Sequence, residues 1–105
     1  MGNVLEELEA WFAAQCDGDW EHNYGVKVET LDNPGWSVEI DIAETEAEAR
    51  DFPEIDVHRS EHDWLYCRKD GAALRGACGP LNLREVLQVL LEWLRGVPEG
   101  VRNPV

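Results

Sequence analysis

Between Gln15 and Ile42 the chain reads QCDGDWEHNYGVKVETLDNPGWSVEIDI, and a change of period inside this stretch decides the fold. From Tyr24 onward Val26 and Val28 alternate with Lys27 and Glu29, and Trp36, Val38, Ile40 and Ile42 alternate with Ser37, Glu39 and Asp41. A period of two sends successive side chains to opposite faces of a pleated strand. The intervening Leu31-Asp32-Asn33-Pro34-Gly35 is turn chemistry, with Pro34-Gly35 suited to the central pair of a type II turn, so the reading is a β-hairpin. Ahead of it, Asp17-Gly18-Asp19-Trp20-Glu21-His22 places a large aromatic in an acidic, turn-rich loop. Binding surfaces gain area at low entropic cost in this way.

On the N-terminal side, Asn3 with Glu6 forms a capping-box variant, and Val4, Leu5, Leu8, Trp11 and Phe12 recur at helical spacing. This predicts a helix from about Val4 to Gln15, ended by Asp17-Gly18. Toward the C-terminus, Ala43 to Pro53 reads as an exposed charged connection. Ile55 and Val57 mark a third strand, Trp64 to Lys69 a fourth, and Ala72 to Cys78 a fifth, with turns at Ser60-Asp63 and Asp70-Gly71. Asn82 and Glu85 cap a second helix, with Leu81 and Val86 placed as a hydrophobic staple and Gly96 and Pro98 as its stop. The tail PEGVRNPV is expected to fray. The sum is an α+β domain spanning residues 1–105: an antiparallel meander of about five strands, with an N-terminal and a C-terminal helix packed on one face. The open face would then carry Lys27, Glu29, Ser37, Glu39, Asp41, Glu54, Asp56 and His58 as one anionic surface.

The whole chain has 105 residues, enough for one core that buries roughly 65% of the unfolded surface. Hydrophobic content of 44% with five Trp excludes a disordered chain despite the charge. With 9 basic against 22 acidic residues the net charge is −13, which disfavours nucleic-acid binding and points to a basic partner. No stretch approaches the roughly 20 apolar residues of a membrane span, and the start lacks the basic n-region of a signal peptide. A cytoplasmic protein is expected, with Cys16, Cys67 and Cys78 as free thiols.

Catalytic patterns are weak. His58 and His62 share a strand-and-turn segment rather than a helical face, and no Cys-x-x-Cys accompanies them, so no metal or other cofactor is expected. Asp17-Gly18-Asp19 misses the calcium-loop pattern, which requires Gly where His22 stands. Cys78 precedes a helix and Cys67 opens Cys-Arg-Lys-Asp-Gly, which keeps a small thiol enzyme of sulfurtransferase type, using Cys67 or Cys78, as the alternative to a non-enzymatic binding protein.

Several segments carry a family resemblance. Gln15-Cys16-Asp17-Gly18-Asp19-Trp20-Glu21-His22, then Tyr24-Gly25-Val26-Lys27 and Thr30-Leu31-Asp32-Asn33-Pro34-Gly35-Trp36, followed by Arg59-Ser60-Glu61-His62-Asp63-Trp64, Cys67 and Gly79-Pro80 leading to Asn82-Leu83, resemble the immunity protein 53 family of bacterial polymorphic toxin systems. The resemblance implies a small α+β protein that binds and neutralises a cognate toxin, without a catalytic mechanism. Joined to the charge, it predicts an acidic, aromatic surface occluding a basic, nuclease-like active site. The expected contacts are Asp17, Asp19, Trp20, Glu21, Tyr24 and Asn33 from the loops, with Glu39 and Asp41 from the sheet. Core packing is the competing reading for Trp20, Trp36 and Trp64, and the chain is expected to be a monomer or weak homodimer.

Overall fold

Alternating sequence becomes a five-stranded sheet in the computed structural model, which describes residues 3–96. In chain order the elements are α1 (Val4–Gln15), α2 (Trp20–Asn23), β1 (Val26–Leu31), β2 (Gly35–Asp41), β3 (Ile55–Ser60), β4 (Asp63–Asp70), β5 (Ala73–Cys78) and α3 (Leu83–Leu94). All pairings are antiparallel, and the spatial order is β1-β2-β5-β4-β3. The meander therefore comes in two pieces, β1-β2 and β3-β4-β5, joined where β5 lies down beside β2.

The buried face collects Val38, Ile40 and Ile42 with Leu74, Cys78, Leu65 and Cys67. Removing each large aliphatic side chain from water stabilises the fold by about 1.5–3 kcal/mol. Over them lies α3, whose Val86, Leu87, Leu90, Leu91 and Leu94 are all buried. Gly76 makes this approach possible, because a Cβ there would stand 2.8 Å from Val86 Cγ2. Next to α3 packs α1, which contributes Val4, Leu8 and Trp11 to the margin of the core. The Asn3 side chain caps it, accepting the Leu5 N–H at 2.7 Å.

Three local expectations need correction. Gly35 does not sit in a type II turn: it pairs with Leu31, leaving a three-residue loop, and its φ is not positive. Glycine is required there because a Cβ would collide with the Cys78 carbonyl oxygen. The staple does not form, since Leu81 is 93% exposed. The Pro80 carbonyl accepts the Trp36 Nε1–H at 3.0 Å, and this holds the turn with Leu81 pointing outward. The connection after β2 is not simply exposed either, because Ile42, Ala43 and Ala47 are buried. The tail from residue 97 onward, Pro98 included, lies outside the described residues.

Candidate functional site

The acidic loop is built from its own hydrogen bonds. Asp17 accepts the N–H groups of Asp19 at 3.0 Å and Trp20 at 2.9 Å, and Glu21 reaches back to the N–H groups of Asp17 and Gly18 at 3.0 and 2.9 Å. The bonds from Trp20 and Asp19 hold the Asp17 carboxyl below its ordinary pKa, since they favour the charged form. Asp17 and Glu21 thus shape the loop. Trp20, expected at a binding surface, is 4% exposed. Its Nε1–H donates to the Ala43 carbonyl at 2.8 Å, and its ring meets Trp11 and Phe12 edge-on and leans on Tyr24. It pins the loop to the chain that leaves β2.

A second tie joins the loop to the sheet. The Gly25 N–H donates to Asp41 Oδ2 at 2.9 Å, and the Asp41 N–H donates to the Gly25 carbonyl at 3.0 Å. Asp17, Asp19, Glu21, Tyr24 and Asp41 are thereby gathered at one end of the sheet, with Glu39 two residues further along the same face. Asn33 is not among them: it occupies the turn at the far end of β1, about 17 Å away at ~3.4 Å per residue.

The same end receives the connection between β2 and β3. Its Glu44, Glu46, Glu48 and Asp51 are exposed. The neighbouring cations point elsewhere. Arg50 donates to the carbonyls of Trp93 and Leu94, both at 3.0 Å, at the negative end of the α3 dipole. Lys69 Nζ donates to the carbonyls of Glu48 at 2.6 Å and Arg50 at 2.7 Å. Backbone oxygens, not carboxylates, take these two positive charges. A cleft of about 330 Å³ opens between α1 and this connection, lined by Trp11, Gln15, Glu46, Arg50 and Leu94 among others. Sequence reading passed over these four carboxylates as a solvated linker; the available signal was their density in AETEAEARD beside the Trp-bearing loop.

On the open face the expected continuous anionic surface is divided. Because β5 and β4 stand between β2 and β3, Arg75 and Arg68 separate Glu39 and Asp41 from Asp56 and His58. Arg75 pairs with Asp70 at 2.9 Å and Glu39 at 3.4 Å, and Arg68 with Asp70 at 3.4 Å. The sequence periods located the face but not the strand order.

The family profile described as immunity protein 53 matches residues 5–95, from α1 through α3. The chain belongs to the immunity protein 53 family. No curated protein and no solved structure matches it.

In this immunity protein 53 member, the later resembling segments turn out to be architectural. Arg59 bridges Asp63 at 2.9 Å and Glu85 at 2.6 Å. Asn82, 7% exposed, donates to Asp63 and Glu85 and accepts the Trp64 N–H. Asn82 occupies the N-cap position of α3 without making the expected side-chain cap bond, because its amide ties the β3–β4 turn to the helix instead. The partners Arg59 and Asn82 hold the Asp63 carboxyl below its ordinary pKa. Burial pushes the Cys67 thiol up to about 12 and the Cys78 thiol up to about 11. Neither is poised as a thiolate near neutral pH. Among the described residues, no three of His, Cys, Asp and Glu converge as metal ligands, and no helix is long and apolar enough to cross a membrane.

Proposed function

We propose that this immunity protein 53 member protects the cytoplasm of its bacterium by seating its acidic end on the basic, nuclease-like active site of a cognate toxin, which it inhibits by occlusion. The observation that carries this reading is the sorting of charge. Glu44, Glu46, Glu48 and Asp51 face outward while Arg50 and Lys69 are committed to backbone carbonyls. Asp19, Tyr24 and Asp41 extend the contact, Asp17 and Glu21 fix its shape, Trp20 anchors it from below, and Glu39 forms its rim beside Arg75. Asn33 falls outside it. A cluster of carboxylates on a chain of net charge −13 accelerates encounter with a cationic cleft, up to roughly 10⁸–10⁹ M⁻¹s⁻¹ at low salt.

The test is co-purification with the product of the adjacent gene, followed by association kinetics across a salt series. The expected result is a one-to-one complex whose on-rate falls by about tenfold or more in 0.5 M NaCl and in an E44K/E46K/E48K variant. An on-rate indifferent to both would sink the acidic docking site. Thiosulfate-to-cyanide sulfur transfer lost in C67S or C78S would replace the inhibitor reading with the thiol enzyme.

A further inference from the structure

The two edges of the sheet are guarded unequally. β3 follows Pro53 and carries a register shift between His58 and Ser60, both devices that discourage pairing with another strand. β1 keeps unbroken register with β2 from Val26 to Leu31, and its Lys27, Val28, Glu29 and Thr30 are exposed, Val28 at 41%. The bond from the Asp41 N–H to the Gly25 carbonyl sets the phase of the ladder. By alternation, Lys27, Glu29 and Leu31 turn their backbone groups toward β2, and Val26, Val28 and Thr30 turn theirs outward. Among the described residues, no hydrogen bond from another element reaches those outward groups.

We infer that a second copy of this chain occupies the edge, β1 pairing antiparallel with the partner's β1 about a twofold axis through Val28. Only registers that match outward groups with outward groups are open, and charge chooses among them. Centring on Val28 sets Lys27 opposite the partner's Glu29 twice by symmetry, in the non-hydrogen-bonded positions where side chains come closest. It also sets Val26 opposite the partner's Thr30 and makes about six inter-strand hydrogen bonds. Sliding one step either way sets Lys27 against the partner's Lys27, or Glu29 against the partner's Glu29. Lys27 therefore disfavours a strand that brings a cation opposite it and favours a copy of its own, which brings Glu29. The product is a continuous ten-stranded sheet, which leaves the acidic loops free at each end. With −13 on each chain, general repulsion opposes the pairing, so added salt strengthens it.

Sedimentation equilibrium on the full chain, from about 10 µM to 1 mM in 0.15 and 0.5 M NaCl, tests this. The expected mass rises from 11.9 kDa toward twice that value, more readily at the higher salt. K27E and E29K each weaken the dimer about tenfold, and K27E/E29K restores it. E29K is the sharpest arm: it makes the chain less acidic, so repulsion alone predicts tighter association where the pairing predicts weaker. Amide exchange at Val28 and Thr30 slows with concentration in the wild type and in the double variant only. A chain monomeric throughout, an E29K variant that associates more tightly, or a double variant that fails to recover overturns the proposal.

Discussion

Trp20 links the acidic loop to the core through a single indole. Its N–H has a buried acceptor in the Ala43 carbonyl, and its ring fills space between Trp11, Phe12 and Tyr24. Trp20→Ala is expected to cost about 3–5 kcal/mol in urea denaturation, by cavity formation and loss of that bond. Asn82→Ala should cost about 1–3 kcal/mol, because the Trp64 N–H loses its acceptor. The titrating groups set opposite edges of the stability range. Asp17 and Asp63 have depressed pKa values, so their contribution is present above about pH 4 and is lost as pH falls through the lowered values. Cys67 and Cys78 have raised ones, so theirs is present below about pH 9 and is lost as pH climbs toward 11 or 12. A urea midpoint followed from pH 2 to 11 should decline at both ends, and C67A should soften the alkaline decline. Nothing in the sequence marks Trp20 as core, since its carbonyl acceptor lies 23 residues further on. A Trp between Asp and Glu looks the same whether it faces a partner or a pocket.

Between elements, the close approach of α3 to β5 is the contact most sensitive to volume. A methyl on Gly76 would press against Val86 Cγ2 at 2.8 Å and Leu90 Cδ1 at 3.2 Å, so Gly76→Ala should destabilise by about 1–3 kcal/mol by denaturant melt. Gly71, with φ of 63° in the β4–β5 turn and open space around it, should resist alanine through its backbone instead. Within elements, much was legible: α1 runs from Val4 to Gln15 as the spacing requires, and Val26, Val38, Ile40, Ile55 and Val57 turn toward the core as the alternation chose, whereas Val28 on the edge strand β1 stays 41% exposed. Neighbour relations were hidden. A period of two assigns a residue to a face and says nothing about which strand lies alongside, so the insertion of β5 next to β2 went unread, and with it the arginines that break up the open face. The packed connection was obscured for a related reason: Ala43 and Ala47 are too small to announce burial among four carboxylates.

At the scale of the molecule, charge governs both stability and association. A chain at −13 repels itself, so its melting temperature should rise by a few degrees between 10 mM and 0.3 M NaCl, as calorimetry would register. Composition alone made the acidity legible; its concentration at one end was not, because that depends on where a handful of cations settle. The strand order also imposes a timetable on synthesis. From Asp41, the end of β2, to Cys78, the end of β5, the ribosome must add about 37 further residues, which at roughly 5–20 residues per second takes about 2–7 seconds. Throughout that interval the nascent hairpin has one side of its inner strand empty, waiting for the piece that completes it. A chain stopped ahead of Cys78 therefore leaves β2 with an open inner side, and the sheet closes only once β5 has been made.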